Sequence, residues 1–377
     1  MGFRRAEILS ILTVFAATRL LLILIGVITL TFFTPVKGTE YHRLNASPAI
    51  DMWYRWDAGF YVAIARYGYG WSVNHQASAD TVFLPLYPVE IHTVDQLVGC
   101  STAECATVSG VLISNVALLA ATILLYSLIK QYANPKLAWR CVWLVMLVPG
   151  GIFLSGVYAE PVFFCLTILC FYLLSKDHFV LAAGAAGLAA LTRPMGVALY
   201  PALLVYLWQK YQFKIPWTKL LVAQMSLLTF GVYVLLVSIN THDTFGYFDA
   251  YRIAWQRDVV ASPLGTFLVY FSGQRVSLWG WRLSWLDFGF TIFYIFLAIL
   301  AVRQNLLWGT FALVAILIPI SSGNLLGLPR YGMVVFPFYV LVAQWTEARW
   351  KRALIYSFSF ILMILFTARF VLWHWLA

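Results

Sequence analysis

Charge is scarce in this chain. Asp, Glu, Lys and Arg make up 11% of its 377 residues, against roughly 25% in a soluble domain. That is too little to clothe a large water-facing surface. Hydrophobic residues take the space, at 62% of the sequence with a mean hydropathy of +0.82. The chain reads as an all-α polytopic membrane protein. Acidic residues are the scarcer sign, 15 against 25 basic, for a formal net charge of +10. In a soluble protein that excess would suggest nucleic acid. In a membrane protein the positive-inside rule accounts for it, and no nucleic-acid partner is expected.

Other absences narrow the chemistry. There is no Gly-x-x-x-x-Gly-Lys-Ser/Thr loop and no Rossmann glycine cluster, which removes the two common nucleotide cradles. The six histidines (His42, His75, His92, His178, His242 and His374) have no paired spacing, so no metal site is expected. Cysteine is limited to five. Cys100 and Cys105, in "CSTAEC", either pair in an oxidising compartment or remain two thiols. Cys141, Cys165 and Cys170 read as helix-packing residues. No internal repeat or low-complexity tract is present. The first apolar run, Ile8 to Phe33, is too long for a signal h-region and reads as a retained anchor. "NAS" at Asn45 is a sequon that matters only in a eukaryotic secretory lumen.

A membrane span needs about 20 apolar residues. Eleven segments qualify, at roughly 8–33, 106–129, 137–155, 158–175, 179–196, 197–209, 219–240, 286–302, 306–320, 331–345 and 353–376. The fifth and sixth are short and divided by "LTRP", as half-helices or tilted segments would be. With a cytoplasmic N-terminus, the inner loops hold Arg4, Arg5, Lys130, Lys136, Arg140, Lys176, Lys210, Lys214, Lys219, Arg303, Arg349, Lys351 and Arg352, about half of the 25 basic residues. Asp51, Asp57, Asp80, Glu90, Asp95 and Glu104 fall outside. This gives one integral membrane domain over residues 1–377, with long outer segments at about 34–105 and about 241–285. The inner loops are too small for a nucleotide-binding domain, so chemistry belongs on the outer face. The aromatic content, 17% with 16 Trp, suits interfacial belts and contacts with sugars and membrane lipids.

The first outer segment contains "MWYRWDAGFYVAIARYGYG", Met52 to Gly70. On a helix over 53–67, Trp53, Trp56, Phe60, Ile64 and Tyr67 share one face, and Arg55, Gly59, Val62 and Arg66 the opposite one. This predicts an amphipathic interfacial helix. Asp57 falls inside the aromatic face, with Tyr61 one turn along. An inward carboxylate is costly unless paired or used. Two readings stand: Asp57 pairs with an arginine and pins the helix, or it is a general base whose pKa is set by desolvation and a neighbouring cation. "FLPLYP", Phe83 to Pro88, reads as a rigid irregular segment or a plain loop anchor.

Further charges gather at the same face. "GVYAEP" puts Glu160 at the outer start of the fourth span, where it suits the helix dipole or a site. "LTRP" puts Arg193 where Pro194 breaks a helix, and an arginine at that depth faces a cavity or a partner. "GLPRYGMVVFPF" puts Arg330 and Tyr331 at the mouth of the tenth span, where the arginine either snorkels or binds phosphate bidentately. An inward carboxylate, a second acid and two arginines on one face describe a base with a phosphate clamp. His242, Asp243, Asp249, Arg252, Arg257 and Asp258 in the second outer segment read mainly as a solvated surface.

"RWDAGFYVAIARYGY", "FLPLYP", "YAEP", "LTRPMG" and "LPRYGMVVFPFY" together resemble the PIG-V type mannosyltransferases, specifically their prokaryotic relatives, over about Arg55 to Tyr339. The resemblance implies a glycosyltransferase of the GT-C fold that takes a polyprenyl-phosphate sugar as donor and works on the non-cytoplasmic face. It implies an essential acid in the first outer loop, which by motif is Asp57. Eukaryotic members add the second mannose to the glycosylphosphatidylinositol precursor. "LTRPMG" and the compact chain depart from them and point to a bacterial enzyme of the plasma membrane with another lipid or glycolipid acceptor. No cofactor is implied beyond the lipid-linked donor. In the expected reaction Asp57 accepts the acceptor proton, Arg330 and Arg193 hold the donor phosphate, and displacement inverts the anomeric carbon. Arg55, Trp56, Tyr61, Tyr87, Glu160 and Tyr331 contact substrate. Two rival readings are a lipid transporter or flippase, which predicts inverted repeats and midplane charges, and a non-catalytic subunit, which predicts that Asp57 is dispensable.

Overall fold

The computed structural model of the chain describes residues 5–39, 43–44, 46–73, 76–257, 261–271 and 284–374. Arg4, His42, Asn45 with its sequon, His75 and Asp258 lie outside the described residues. Helix dominates, and the described strands are one two-residue antiparallel pair, Ser72–Val73 with Gln76–Ala77. Four described helices are long and apolar enough to cross a membrane: Arg5–Phe32, Ala103–Tyr132, Trp285–Gln304 and Arg349–Val371. Trp217–Ala223 and Met225–Thr241 qualify together as a span bent by 46°. Glu160–Ser175, Phe179–Ala190, Leu306–Ile320 and Phe336–Trp345 are shorter apolar helices. The chain is a multi-pass membrane protein. Leu354, Phe358, Ile361 and Leu365, three or four residues apart on one helix face, are all more than half exposed. Such a stripe suits lipid, not water.

The chain forms two compact units. The first comprises Met1–Tyr67, Tyr87–Lys176 and Tyr339–Leu376; the second is mainly Gly68–Leu86 and Asp177–Phe338. In the first, Ala103–Tyr132 packs against Glu160–Ser175 and Pro135–Met146, and Arg5–Phe32 packs against Arg349–Val371. The helix predicted over 137–155 stops at Met146. Residues 147–159 follow as turns because "PGG" (Pro149 to Gly151) lacks one donor and stiffening side chains. Non-helical backbone at membrane depth needs partners. Buried Arg19 supplies them, donating to Ser155 Oγ at 2.7 Å and Met146 O at 3.1 Å.

In the second unit, Phe179–Ala190 buries alanines Ala182, Ala183, Ala185, Ala186, Ala189 and Ala190. Small residues allow the close approach on which helix association in lipid depends. The packed neighbour is Met225–Thr241, whose Thr229 Oγ1 donates to Gly187 O at 2.9 Å. The predicted break at "LTRP" appears as an interruption before the 3-10 turn Pro194–Ala198 and the helix Leu199–Tyr211. "FLPLYP" is not a membrane-surface segment. Phe83 and Leu84 are buried, Phe83 O accepts from Tyr69 Oη at 2.6 Å, and a helix begins at Leu86.

Candidate active site

The first unit carries Arg55, Trp56, Asp57, Tyr61, Tyr87 and Glu160. Pro48–Asp51 makes one helical turn, and the backbone then runs through turns to Trp56. Trp56 has φ +55°, a left-handed conformation that costs a bulky residue about 1–3 kcal/mol and persists only where the surroundings enforce it. This elbow replaces the continuous helix predicted over 53–67. The helix is Ala58–Tyr67, with buried Asp57 immediately before it and the Asp57 carbonyl accepting from Phe60 N and Tyr61 N at 3.0 and 3.2 Å. A carboxylate at a helix N-terminus is favoured by the dipole.

The elbow also turns Arg55 inward. The helical reading puts it on the solvated face beside Arg66; the structure buries it completely. Nη2 meets Asp51 Oδ2 at 2.5 Å, Nη1 donates to Asp51 O at 2.5 Å and Tyr54 O at 3.0 Å, and Nε donates to Val371 O at 3.0 Å. Its guanidinium also lies 5.2 Å from the Trp373 ring, which in turn packs 5.2 Å from Trp56. The arginine expected to touch substrate is therefore engaged by the fold, and the acid that answers it is Asp51.

The aromatic and acidic residues converge nearby within the same unit. Tyr61 packs edge-on against Tyr87 at 5.0 Å. Tyr87 Oη donates to Gly110 O at 2.9 Å and lies 2.8 Å from Ser114 Oγ, which reaches Tyr158 O at 3.2 Å. Tyr158 Oη donates to Arg55 O at 2.8 Å, tying the elbow to the turn that precedes Glu160. A Cβ on Gly110 would stand 2.7 Å from Val157 Cγ1 and 3.1 Å from Tyr87 Oη, so only glycine lets that helix come this close. Glu160 opens Glu160–Ser175 and is fully buried. Burial pushes the Tyr87 hydroxyl well above its ordinary range, against the Ser114 hydrogen bond and with the Glu160 and Glu90 charges adding to the rise. Glu90, which the sequence marks only as an outer acid, is raised to about 7 by burial, and its Oε2 has no hydrogen-bond partner.

The second unit carries Arg193, Arg330 and Tyr331 and brings them together. Pro194 holds Arg193 in extended backbone, φ −150° and ψ 145°. Arg330 sits on the short helix Leu328–Gly332, entered through Gly327 at φ +82°. Tyr294 lies against that helix, donating to Pro329 O at 3.1 Å; a Cβ on Gly332 would be 2.0 Å from its ring. Both arginines are buried. Their guanidinium carbons stand 4.8 Å (Arg193) and 5.5 Å (Arg330) from the centre of the Tyr331 ring, within cation–π range.

Arg257 is the correction here. On the helix before it, exposed Arg252 pairs with half-buried Asp249 at 2.7 Å. Arg257 instead reaches 5.8 Å from the same Tyr331 ring. Nothing in the spacing of "RIAWQRD" announces this, because the contact joins segments more than seventy residues apart. Among the described residues, no three His, Cys, Asp or Glu side chains are placed to hold a metal ion.

The mannosyltransferase (PIG-V) family model matches residues 44–257, a stretch that includes the elbow, Glu160 and Arg193. GPI mannosyltransferase 2 from two strains of Cryptococcus neoformans is 31% identical over 152 residues, covering 40% of this chain and 35% of that relative. The match thus spans about a third of the relatives' length. The oligosaccharyltransferase of Archaeoglobus fulgidus, in its apo form, superposes with a TM-score of 0.53 at 13% identity, over 97% of this chain and 56% of the other. The same enzyme tethered to an acceptor peptide gives 0.50 at 13% identity, over 100% and 56%. The likeness is one of fold, the GT-C type.

Proposed function

The chain belongs to the PIG-V mannosyltransferase family, and on that premise we propose that it is a membrane mannosyltransferase that moves the sugar of a polyprenyl-phosphate donor onto a lipid or glycolipid acceptor. The donor's phosphate is held by Arg193 and Arg330, whose charge stabilises the leaving group as it develops. The Asp57 carboxylate takes the proton of the acceptor hydroxyl. That oxygen bonds to the anomeric carbon as the bond from this carbon to the phosphate oxygen breaks, and the electron pair leaves with the phosphate. One displacement inverts the anomeric centre and needs no covalent enzyme intermediate.

The observation that carries this reading is the division of labour between two acids. Asp51 neutralises Arg55, so that arginine's charge is answered by an acid other than Asp57. The strained Trp56 backbone places the buried Asp57 carboxylate directly before the helix Ala58–Tyr67, where the helix dipole favours its charged form. The positive-inside pattern supports a cytoplasmic N-terminus and a site on the outer face, and the "LTRPMG" departure from eukaryotic members supports a prokaryotic plasma membrane. The Cys100–Cys105 disulfide in the first outer segment supports an oxidising surrounding.

The test is transfer from polyprenyl-phosphate mannose into a membrane lipid extract by purified wild type and Asp57→Asn, with thermal midpoints measured beside activity. A general base contributes about 10²- to 10⁴-fold, so the variant should fold and lose activity on that scale. A folded variant with wild-type turnover would remove Asp57 from the reaction.

A further inference from the structure

Arg257 stands outside the family of roles given so far, yet its surroundings are built around it. The residue before it, Gln256, adopts φ +47°, a left-handed backbone that a non-glycine holds only under constraint. The constraint is visible. Asn324, fully buried, donates from Nδ2 to Gln256 O at 3.3 Å, and its Oδ1 accepts from Leu326 N at 3.2 Å. The Arg257 N–H donates to Tyr251 O at 2.9 Å. At the head of the side chain, Nη1 donates to Ser322 Oγ at 2.7 Å and Nη2 to Leu326 O.

A guanidinium has five N–H donors. These bonds use two, and they fix the plane of the group while it stays only half-buried. Asp287, buried at 1% exposure with no hydrogen-bond partner on either carboxylate oxygen, lies within electrostatic reach but does not take the remaining donors. Arg193 and Arg330 approach the same Tyr331 ring. Like charges repel at this range, a cost that an anion bound among them would offset. A cation held rigidly before its ligand arrives loses little freedom on binding.

We propose that Arg257 is the third phosphate-binding arm of the second unit, and that the ligand is the phosphate head of a polyprenyl lipid. The proposal rests on the donor class read above and adds a residue and an independence: phosphate affinity resides in Arg193, Arg257 and Arg330, without Asp57. The probes are farnesyl phosphate and farnesol, which share a chain and differ in charge, titrated into purified protein in detergent and followed by tryptophan fluorescence at two salt concentrations. Loss of a charge-assisted pair weakens binding by about 10- to 100-fold. Arg257→Gln should weaken farnesyl phosphate on that scale, flatten its salt dependence, and leave farnesol unchanged. Arg257→Lys, which keeps the charge but not the fork, should fall between. Asp57→Asn should bind farnesyl phosphate as the wild type does.

Equal affinity of wild type and Arg257→Gln for farnesyl phosphate overturns the proposal and leaves the transferase reading standing. Equal weakening of farnesol overturns it too, by showing a general structural role. If Arg257→Gln does not fold, Arg257→Lys decides by the same two ligands, and failure of both variants to fold makes Arg257 a strut. A wild type that binds farnesyl phosphate no better than farnesol removes both the proposal and the donor class. Intact phosphate binding in Asp57→Asn, alongside undiminished transfer, removes the base but not Arg257.

Discussion

Asp51→Asn tests the structural acid of this segment separately from Asp57, the proposed base. Arg55 is fully enclosed, and the Asp51 side chain is 10% exposed. Removing one partner of a buried pair leaves a charge without compensation and costs about 3–5 kcal/mol. Three carbonyls, of Asp51, Tyr54 and Val371, still accept from the guanidinium in the variant, which places the loss near the lower end, about 3 kcal/mol. Asn also surrenders part of the acceptor that receives Leu44 N at 2.9 Å. At roughly 2–4 °C per kcal/mol, the midpoint should drop by about 6–12 °C. The assay is thermal unfolding in detergent under one scan rate, because a membrane protein that unfolds irreversibly reports a rate. The paired change Asp51→Leu with Arg55→Met should recover most of the loss, since replacing both charges by apolar groups is often neutral or better. A midpoint for Asp51→Asn within a degree of wild type would refute the assignment of Asp51 as the counter-ion.

Two further outcomes follow from the first unit. Burial raises Glu90 from 4.5 to about 7. The folded protein then holds this proton more tightly than the unfolded chain, so the contribution to stability is greatest below about 4.5 and falls as pH rises to about 7. Glu90→Gln should flatten the pH dependence of the midpoint across that window and raise the midpoint at pH 8; an unchanged slope would show that Glu90 stays charged throughout. Cys100 and Cys105 should react with a membrane-impermeant maleimide only after reduction, and only in right-side-out vesicles. Labelling in inside-out vesicles would reverse the orientation drawn from the Lys and Arg pattern.

Local patterning carried far along the chain. The apolar runs fall on helices or helical pieces, apart from the turns after Met146, because a helix satisfies its own backbone polar groups in lipid. The break at "LTRP" was legible from Pro194, and the helix start at Glu160 from the acid beside Pro161. The stop at Met146 was legible in principle from "PGG" and was overridden by the hydropathy of the run.

Where prediction failed, the deciding interaction was distant in sequence. A helical wheel treats 53–67 as one rod, and no local propensity sets a tryptophan in left-handed backbone at position 56. The wheel therefore placed Arg55 in solvent, although Asp51 stood at i, i+4 spacing throughout. Arg257 looked like a surface charge because its partners, Ser322, Leu326 and Tyr331, lie beyond three described helices in the sequence.

Composition and hydropathy alone determined that this is a many-helix membrane protein, because the transfer free energy of apolar residues depends on their identity and not on their neighbours. The motif around Asp57 singled out the acid. Only the tertiary structure decided that Asp51 answers Arg55, that Asp57 heads a helix behind a strained elbow, and that three arginines share one tyrosine. Charge pairing inside a low-dielectric fold depends on distance and burial, and neither is set until the chain has packed.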